Sequence, residues 1–181
     1  MAKTAKKLNK SSPLYEVWAV FFLGLCVFVF LALYSYDPRD VAFTTTQVNN
    51  PPHNYIGLIG AWFSFVLLTV VGLSSYLIPV FSLVWAVKWM FLRGSFRFVR
   101  DFFYTIILLT CCACLLEIQH NQSILQWCSV YGIESFGPGG FIGEWLMGRF
   151  LMRMIGLEGS LIVIGTVVPV TMMLVTHFRL A

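Results

Sequence analysis

Residues 17–34 run for eighteen positions without a charge. As a helix rising about 1.5 Å per residue, such a run reaches roughly 27 Å, which just spans the hydrocarbon core of a bilayer. It ends in Y-S-Y-D-P-R-D at 34–40. Tyr34 and Tyr36 fall where amphipathic rings prefer to sit, at the water interface, and Asp37-Pro38 stops the helix because Pro disfavours helical geometry in the residue before it. A lysine-rich start before an apolar run also marks secretory signals. This run is longer than the roughly 7–15 residues of a signal core, and no clear small-x-small cleavage site follows.

The rest of the chain continues the theme. Of 181 residues, 59% are hydrophobic and 11% charged, far from the roughly 25% charge of soluble domains, so the solvent of most of the chain is lipid. Residues 55–90 form a second run interrupted only by Gly, Ser, Thr, Pro79 and Lys88. It reads as one tilted or kinked helix over 61–87, with 55–60 as a glycine-rich interfacial entry and Pro79 as the kink. Runs at 102–116 and 161–175 supply a third and a fourth crossing. Between them, G-E-W-L-M-G-R-F-L-M-R-M-I-G at 143–156 sets Arg149 and Arg153 four apart among Trp, Phe, Leu and Met. That pattern suits a helix at the membrane surface, or one packed on the bundle. The expected fold is therefore an all-α membrane protein with four transmembrane helices and a short interfacial helix in the last external loop. Its parts are a basic tail over 1–16, a four-helix domain over 17–178 with spans about 17–36, 61–87, 102–118 and 160–177, and the start of a linker at 179–181.

Orientation follows from Lys and Arg, since positively charged loops stay cytoplasmic. Lys3, Lys6, Lys7, Lys10, Lys88, Arg93, Arg97, Arg100 and Arg179 fall on one side; Arg39, Arg149 and Arg153 fall on the other, mixed with most of the acids. Both termini are thus expected in the cytoplasm, with Lys3, Lys6, Lys7, Lys10, Lys88, Arg93, Arg97 and Arg100 setting the topology. The net charge of +4 is then a matter of topology and anionic head groups rather than of nucleic-acid binding.

Motifs for chemistry are few. The chain has neither G-x-x-x-x-G-K-[ST] nor H-E-x-x-H, and His53, His120 and His177 lie on different segments, which suits loop or interface residues better than ligands. Cys111, Cys112 and Cys114 lie in an apolar helix without a second Cys pair at metal-site spacing, so packing is the better reading. Glu117, at the end of the third run beside Gln119, His120 and Asn121, is expected at the water interface rather than in a proton relay. Gly24, Gly72, Ser75 and Gly165 suit close helix contacts within or between chains. No catalytic, metal or cofactor site is expected. Trp145, Arg149, Phe150 and Arg153 are the candidates for partner contact. A small transporter would need polar groups converging at the midplane of several helices, and the spans offer only scattered Ser and Thr.

The order of features resembles the N-terminal four-helix membrane domain of the FtsK/SpoIIIE family of DNA translocases. It is carried by a basic start, Y-S-Y-D-P-R-D at 34–40, H-N-Y-I-G-L-I-G-A-W at 53–62, V-G-L-S-S-Y-L-I-P-V at 71–80 and G-P-G-G-F-I-G at 137–143. The more particular part is S-x-D-P followed some twenty residues later by N-x-x-G-x-x-G-A-W; the intervening T-T-T-Q-V-N-N-P-P-H-N departs from the Trp-containing loops frequent in such domains. The resemblance implies an anchor in the bacterial inner membrane at the division septum, in contact with other septal proteins. That anchor would hold a cytoplasmic motor, a hexameric ATPase that pumps chromosomal DNA. ATP, Mg and DNA would belong to that motor, and no catalytic residue carries over to these residues. The alternative in another class is a stand-alone assembly protein of the division machinery with no motor.

Overall fold

The structure is a computed structural model; it describes residues 13–42, 45, 47–91, 98–118 and 137–176. Helix α1 (Pro13–Tyr34) opens on a proline, whose missing N–H costs nothing in a first turn, and it is apolar on every face. It ends where Ser35 turns back on it, with both the Ser35 N–H and its hydroxyl donating to Leu31 O. A single 3₁₀ turn, Pro38–Asp40, follows, capped by the Asp37 side chain accepting from the Arg39 N–H.

Helix α2 (Gly57–Val71) and helix α3 (Leu77–Phe91) flank a 3₁₀ segment, Gly72–Tyr76. Together they make one apolar stretch of 35 residues, about 50 Å if straight and much more than a bilayer core needs. The contacts explain the surplus. The entry to α2 is tied to the end of α1, since Asn54 Nδ2 donates to Ala32 O and the Tyr55 N–H to Ser35 Oγ. Its exit is tied to the same end, because the Tyr76 hydroxyl donates to Leu33 O and Leu68 packs with Val29, Leu33 and Tyr36. Helix α2 therefore lies across the end of α1. Gly60, Ala61 and Ser64, spaced along one face, are buried, while Leu58, Ile59, Trp62, Phe63 and Val66 on the other are exposed. The crossing itself is α3, antiparallel to α1 along its length: Trp85 meets Phe22 at 5.3 Å and Trp89 meets Trp18 at 6.1 Å near the other end.

This corrects the expected single helix over 61–87 kinked at Pro79. The break lies at Gly72, whose φ of 67° favours glycine. Pro79 is the third residue of α3 and falls in its first turn, where no helical N–H is lost.

Helix α4 (Phe98–Ile118) is the third crossing. A second 35-residue stretch, Gly140–Leu174, supplies the fourth. It comprises the short α5 (Gly140–Gly143), π-helical turns over Glu144–Leu151, and α6 (Met152–Thr176), which is broken at Gly156 by a φ of 73°. The part before Gly156 lies at the end of α4, where Met147 joins Cys114 and Ile164 in a buried cluster. This is the segment expected to form a short helix in the last external loop, and like α2 it packs across the end of a crossing. The described residues are helical or loop, with no strand.

Helices in lipid associate through close packing and internally satisfied polar groups rather than through the hydrophobic effect. Accordingly, the hydroxyls of Ser64, Ser82, Thr105, Ser160 and Thr171 each donate to the carbonyl four residues earlier.

Candidate functional site

The end of the bundle where α1 and α4 finish, here the distal end, carries two polar assemblies. The first is the 35–57 connection, and it is built around Asp40. This carboxylate is completely buried. One oxygen accepts from Asn49 Nδ2 at 2.8 Å and from the His53 N–H at 2.9 Å; the other accepts from the Asn54 N–H at 2.7 Å. Asn54 then bonds helix α1 through its amide and caps the turn into α2 through its oxygen, which accepts from the Ile56 N–H. A loop of some twenty residues is thereby tied to both helices it joins. A buried carboxylate is tolerated only when satisfied in this way.

Asp37 sits at the rim. Burial would raise its carboxyl, but the Arg39 N–H, the His53 ring and the Asn49 amide outweigh that and hold it below the usual carboxylate value. Burial, with the charges of Asp37 and Asp40 adding to it, pushes the Tyr36 phenol up to about 12. Asp37, Asp40 and His53 bring three ligand-type atoms within 4.8 Å of one another. Since both oxygens of Asp40 already accept hydrogen bonds, the arrangement is that of a cross-braced loop.

The second assembly is a glycine seam. The turn at 137–140 fits between the Gly72 break and the end of α4. The Leu73 N–H donates to Pro138 O at 2.9 Å. A Cβ at Gly72 would collide with Pro138 O and Gly140 N, and one at Gly143 would come within 2.8 Å of Ala113 O. Glu117 Oε2 accepts from the Gly139 N–H at 3.1 Å. Expected only as an interfacial acid, Glu117 holds this turn against α4.

At the opposite, proximal end, Lys88 on α3 lies 3.1 Å from Asp101 on α4, and Arg100 reaches the same carboxylate at 3.1 Å. Asp101 is completely buried and Lys88 nearly so. Of the residues assigned to topology, Lys88 thus also clamps α3 to α4, while Arg100 braces the Asp101 carboxylate from within α4. Lys3, Lys6, Lys7, Lys10, Arg93 and Arg97 lie outside the described residues.

Trp145, Arg149 and Phe150 fall on the π-helical turns and Arg153 follows them, all four exposed. The i+5 spacing of that winding brings Arg149 within 3.6 Å of Glu144, a pairing that an α-helical reading of the sequence does not offer.

Comparison with known proteins bears on both assemblies. A model of the 4TM region of DNA translocase FtsK/SpoIIIE matches residues 12–181. The chain belongs to this family. A DNA translocase FtsK from Shewanella oneidensis is 23% identical over 141 residues, which are 78% of this chain and 15% of that protein. One from Rickettsia prowazekii is 29% identical over 114 residues, 62% of this chain and 15% of that protein. The chain therefore spans about 15% of the length of these relatives. No solved structure matches it.

Within this FtsK/SpoIIIE membrane region, the residues that carry the resemblance have visible work. Ser35, Asp37 and Pro38 of S-x-D-P shape the end of α1, and Asn54, Gly57 and Gly60 of N-x-x-G-x-x-G-A-W shape the entry to α2. G-P-G-G is the turn seated on Gly72. Sequence reasoning passed over both acids, counting Asp40 only among the external charges and leaving Asp101 aside. The signal available for Asp101 was its place beside the end of an apolar run, facing a lysine on the preceding one.

Proposed function

We propose that these residues form the membrane-anchoring and septum-targeting domain of a cell-division DNA translocase. It is multi-pass in the bacterial inner membrane, with both termini in the cytoplasm. The observation that carries this reading is the match of residues 12–181 to the 4TM region of a translocase family, in relatives named as DNA translocases. The motor, with its ATP, Mg and DNA contacts, would act from the proximal side, because these residues hold no P-loop. The four crossings fix the chain in the bilayer. Self-association, as in the hexameric motors of the family, would raise the local motor concentration before DNA arrives.

The braced loop and the glycine seam favour an anchor over a transporter, since among the described residues the buried charged groups Asp40, Lys88 and Asp101 lie at the ends of the crossings, and Ser82, Thr105 and Thr171 within them bond their own helices. Septal partners would meet the distal end, where Trp145, Arg149, Phe150 and Arg153 present aromatic and basic groups.

A fluorescent fusion of residues 1–181 tests targeting. It should gather as a band at midcell in dividing cells, and replacing Trp145, Arg149, Phe150 and Arg153 together by Ala should disperse that band. Uniform membrane fluorescence of the unaltered fusion would contradict the targeting role.

A further inference from the structure

Two parts of the chain say nearly the same thing. Residues 57–62 read G-L-I-G-A-W and residues 140–145 read G-F-I-G-E-W; further on, 72–78 read G-L-S-S-Y-L-I and 156–162 read G-L-E-G-S-L-I. Each part belongs to a 35-residue apolar stretch, and each stretch follows a shorter straight one, Leu14–Tyr34 or Val99–Ile118.

The backbone repeats the text. Gly57 and Gly140 open their helices at φ of 71° and 65°, and Gly72 and Gly156 break theirs at 67° and 73°. The turn before each opening glycine closes with the same bond, from the Gly57 N–H to Asn54 O and from the Gly140 N–H to Gly137 O. A side-chain oxygen caps the residue just before, Asn54 Oδ1 for Ile56 and Glu117 Oε2 for Gly139. Each turn also sits against a carbonyl in the last turns of its own straight helix, Ala32 O in α1 and Ala113 O in α4.

One difference proves informative. From Gly57 to Gly72 is 15 residues (72 − 57), and from Gly140 to Gly156 is 16 (156 − 140). The extra residue is absorbed where the second copy winds as a π-helix, Glu144–Leu151, the winding that admits one more residue per turn. The described residues form two copies of one unit: a straight crossing, a glycine turn, a helix packed across the end of that crossing, a glycine break and a return crossing.

Within the chain, the turn of the second unit docks on the break of the first. The Leu73 N–H donates to Pro138 O, and Gly72 and Gly140 face each other so closely that neither could carry a Cβ. Among the described residues the complementary pair, the turn of the first unit and the break of the second, is not joined. At both Gly57 and Gly156 a Cβ would find none of them within 4 Å. Tyr55, which corresponds to Pro138, is 70% exposed. Leu157, which corresponds to Leu73, is 46% exposed.

We propose that the 54–57 turn of one chain docks on the Gly156 break of a second copy, repeating between chains the contact that already joins the two units. A protein turn is favoured over lipid because the interface continues one formed within the chain, where the break is met by a backbone carbonyl that no acyl chain can supply. The contact is head-to-tail, so each copy keeps one free turn and one free break, and the step repeats into a ring or a filament. All the turns and breaks lie at the distal end, so successive units share one membrane level. The inference needs only the membrane part of the chain and stands or falls separately from the translocase reading.

The test is oxidative cross-linking in membranes, with the protein at its natural length and its five cysteines replaced by Ala. The Tyr55→Cys, Leu157→Cys double variant should give a ladder of dimers, trimers and larger species, while each single variant stays monomeric. The Leu73→Cys, Pro138→Cys variant is the internal standard, losing its reactivity toward maleimide on oxidation without gaining mass. Absence of the ladder while the internal pair oxidises would overturn the proposal. Dimers from either single variant, with no ladder from the double, would overturn it as well, since they mark a self-complementary contact instead.

Discussion

Asp40 shows how one residue organises the distal loop. Its two oxygens serve three donors from residues 49, 53 and 54, and truncation would strand all three. Leaving a buried donor unmade costs about 1–3 kcal/mol. Asp40→Ala should therefore open the 41–56 segment, read as a gain in protease nicking there with α1 and α3 intact. A segment as resistant as the wild type would refute the bracing role.

Asp101 plays the matching part at the proximal end. Asp101→Asn leaves Lys88 buried without its counter-ion, a change that typically costs about 3–5 kcal/mol. The variant should lower the thermal midpoint in detergent strongly, and adding Lys88→Met should recover much of the loss. Asp40 was not legible in the sequence beyond its charge, and Asp101 only through its place beside the end of an apolar run. Which lysine or amide a carboxylate meets depends on helices that are brought together only by folding.

Tyr36 offers a pH signature at the same scale. Its phenol moves from 10.0 to about 12 in the fold, so the fold favours the protonated form. The associated stability is complete below pH 10 and is lost as pH rises through 12. The absorbance titration of wild type minus Tyr36→Phe should show one phenol ionising near 12. A midpoint near 10 would mean that Tyr36 is not buried. Asp37 has the opposite sign: its lowered carboxyl supports the loop above 3.8, and that support is lost only as pH falls below that value.

At the scale of elements, apolar runs gave the helices and glycines gave their interruptions. The crossings were legible because lipid demands long uncharged stretches and nothing else in the chain supplies them. The route of α2 was not, because an apolar helix lying across a bundle and one spanning it have the same composition. Pro79 drew attention as a helix breaker, yet the break fell on Gly72: proline is harmless in a first turn, and only glycine readily holds the positive φ. The π-helical winding was also invisible, since it depends on a one-residue difference from the first unit.

That difference can be removed. Gly148 lies within the π-helical turns, and a Cβ there would meet nothing within 4 Å. Deleting Gly148 should let the segment rewind as an α-helix, with the thermal midpoint little changed. Deleting Val66 from α2, which has no residue to spare, turns everything beyond it by about 100° and should abolish folding. Equal damage from the two deletions would mean that the π-helix is not an insertion.

At the scale of the molecule, two helical hairpins, α1 with α3 and α4 with α6, are joined distally by the glycine seam and proximally by the Lys88–Asp101 clamp. Function was legible chiefly through the family motifs. Their physical meaning, a braced loop and a seated turn, emerged only with the fold. The central claim is that this membrane domain anchors a translocase motor. The most direct measurement is the size of the natural gene product, using an antibody against residues 1–181 on a blot of the source cells. The account predicts a band far above 20.6 kDa, carrying a P-loop ATPase beyond the fourth crossing. A single band near 20.6 kDa would contradict it and leave a membrane assembly protein that works without a motor.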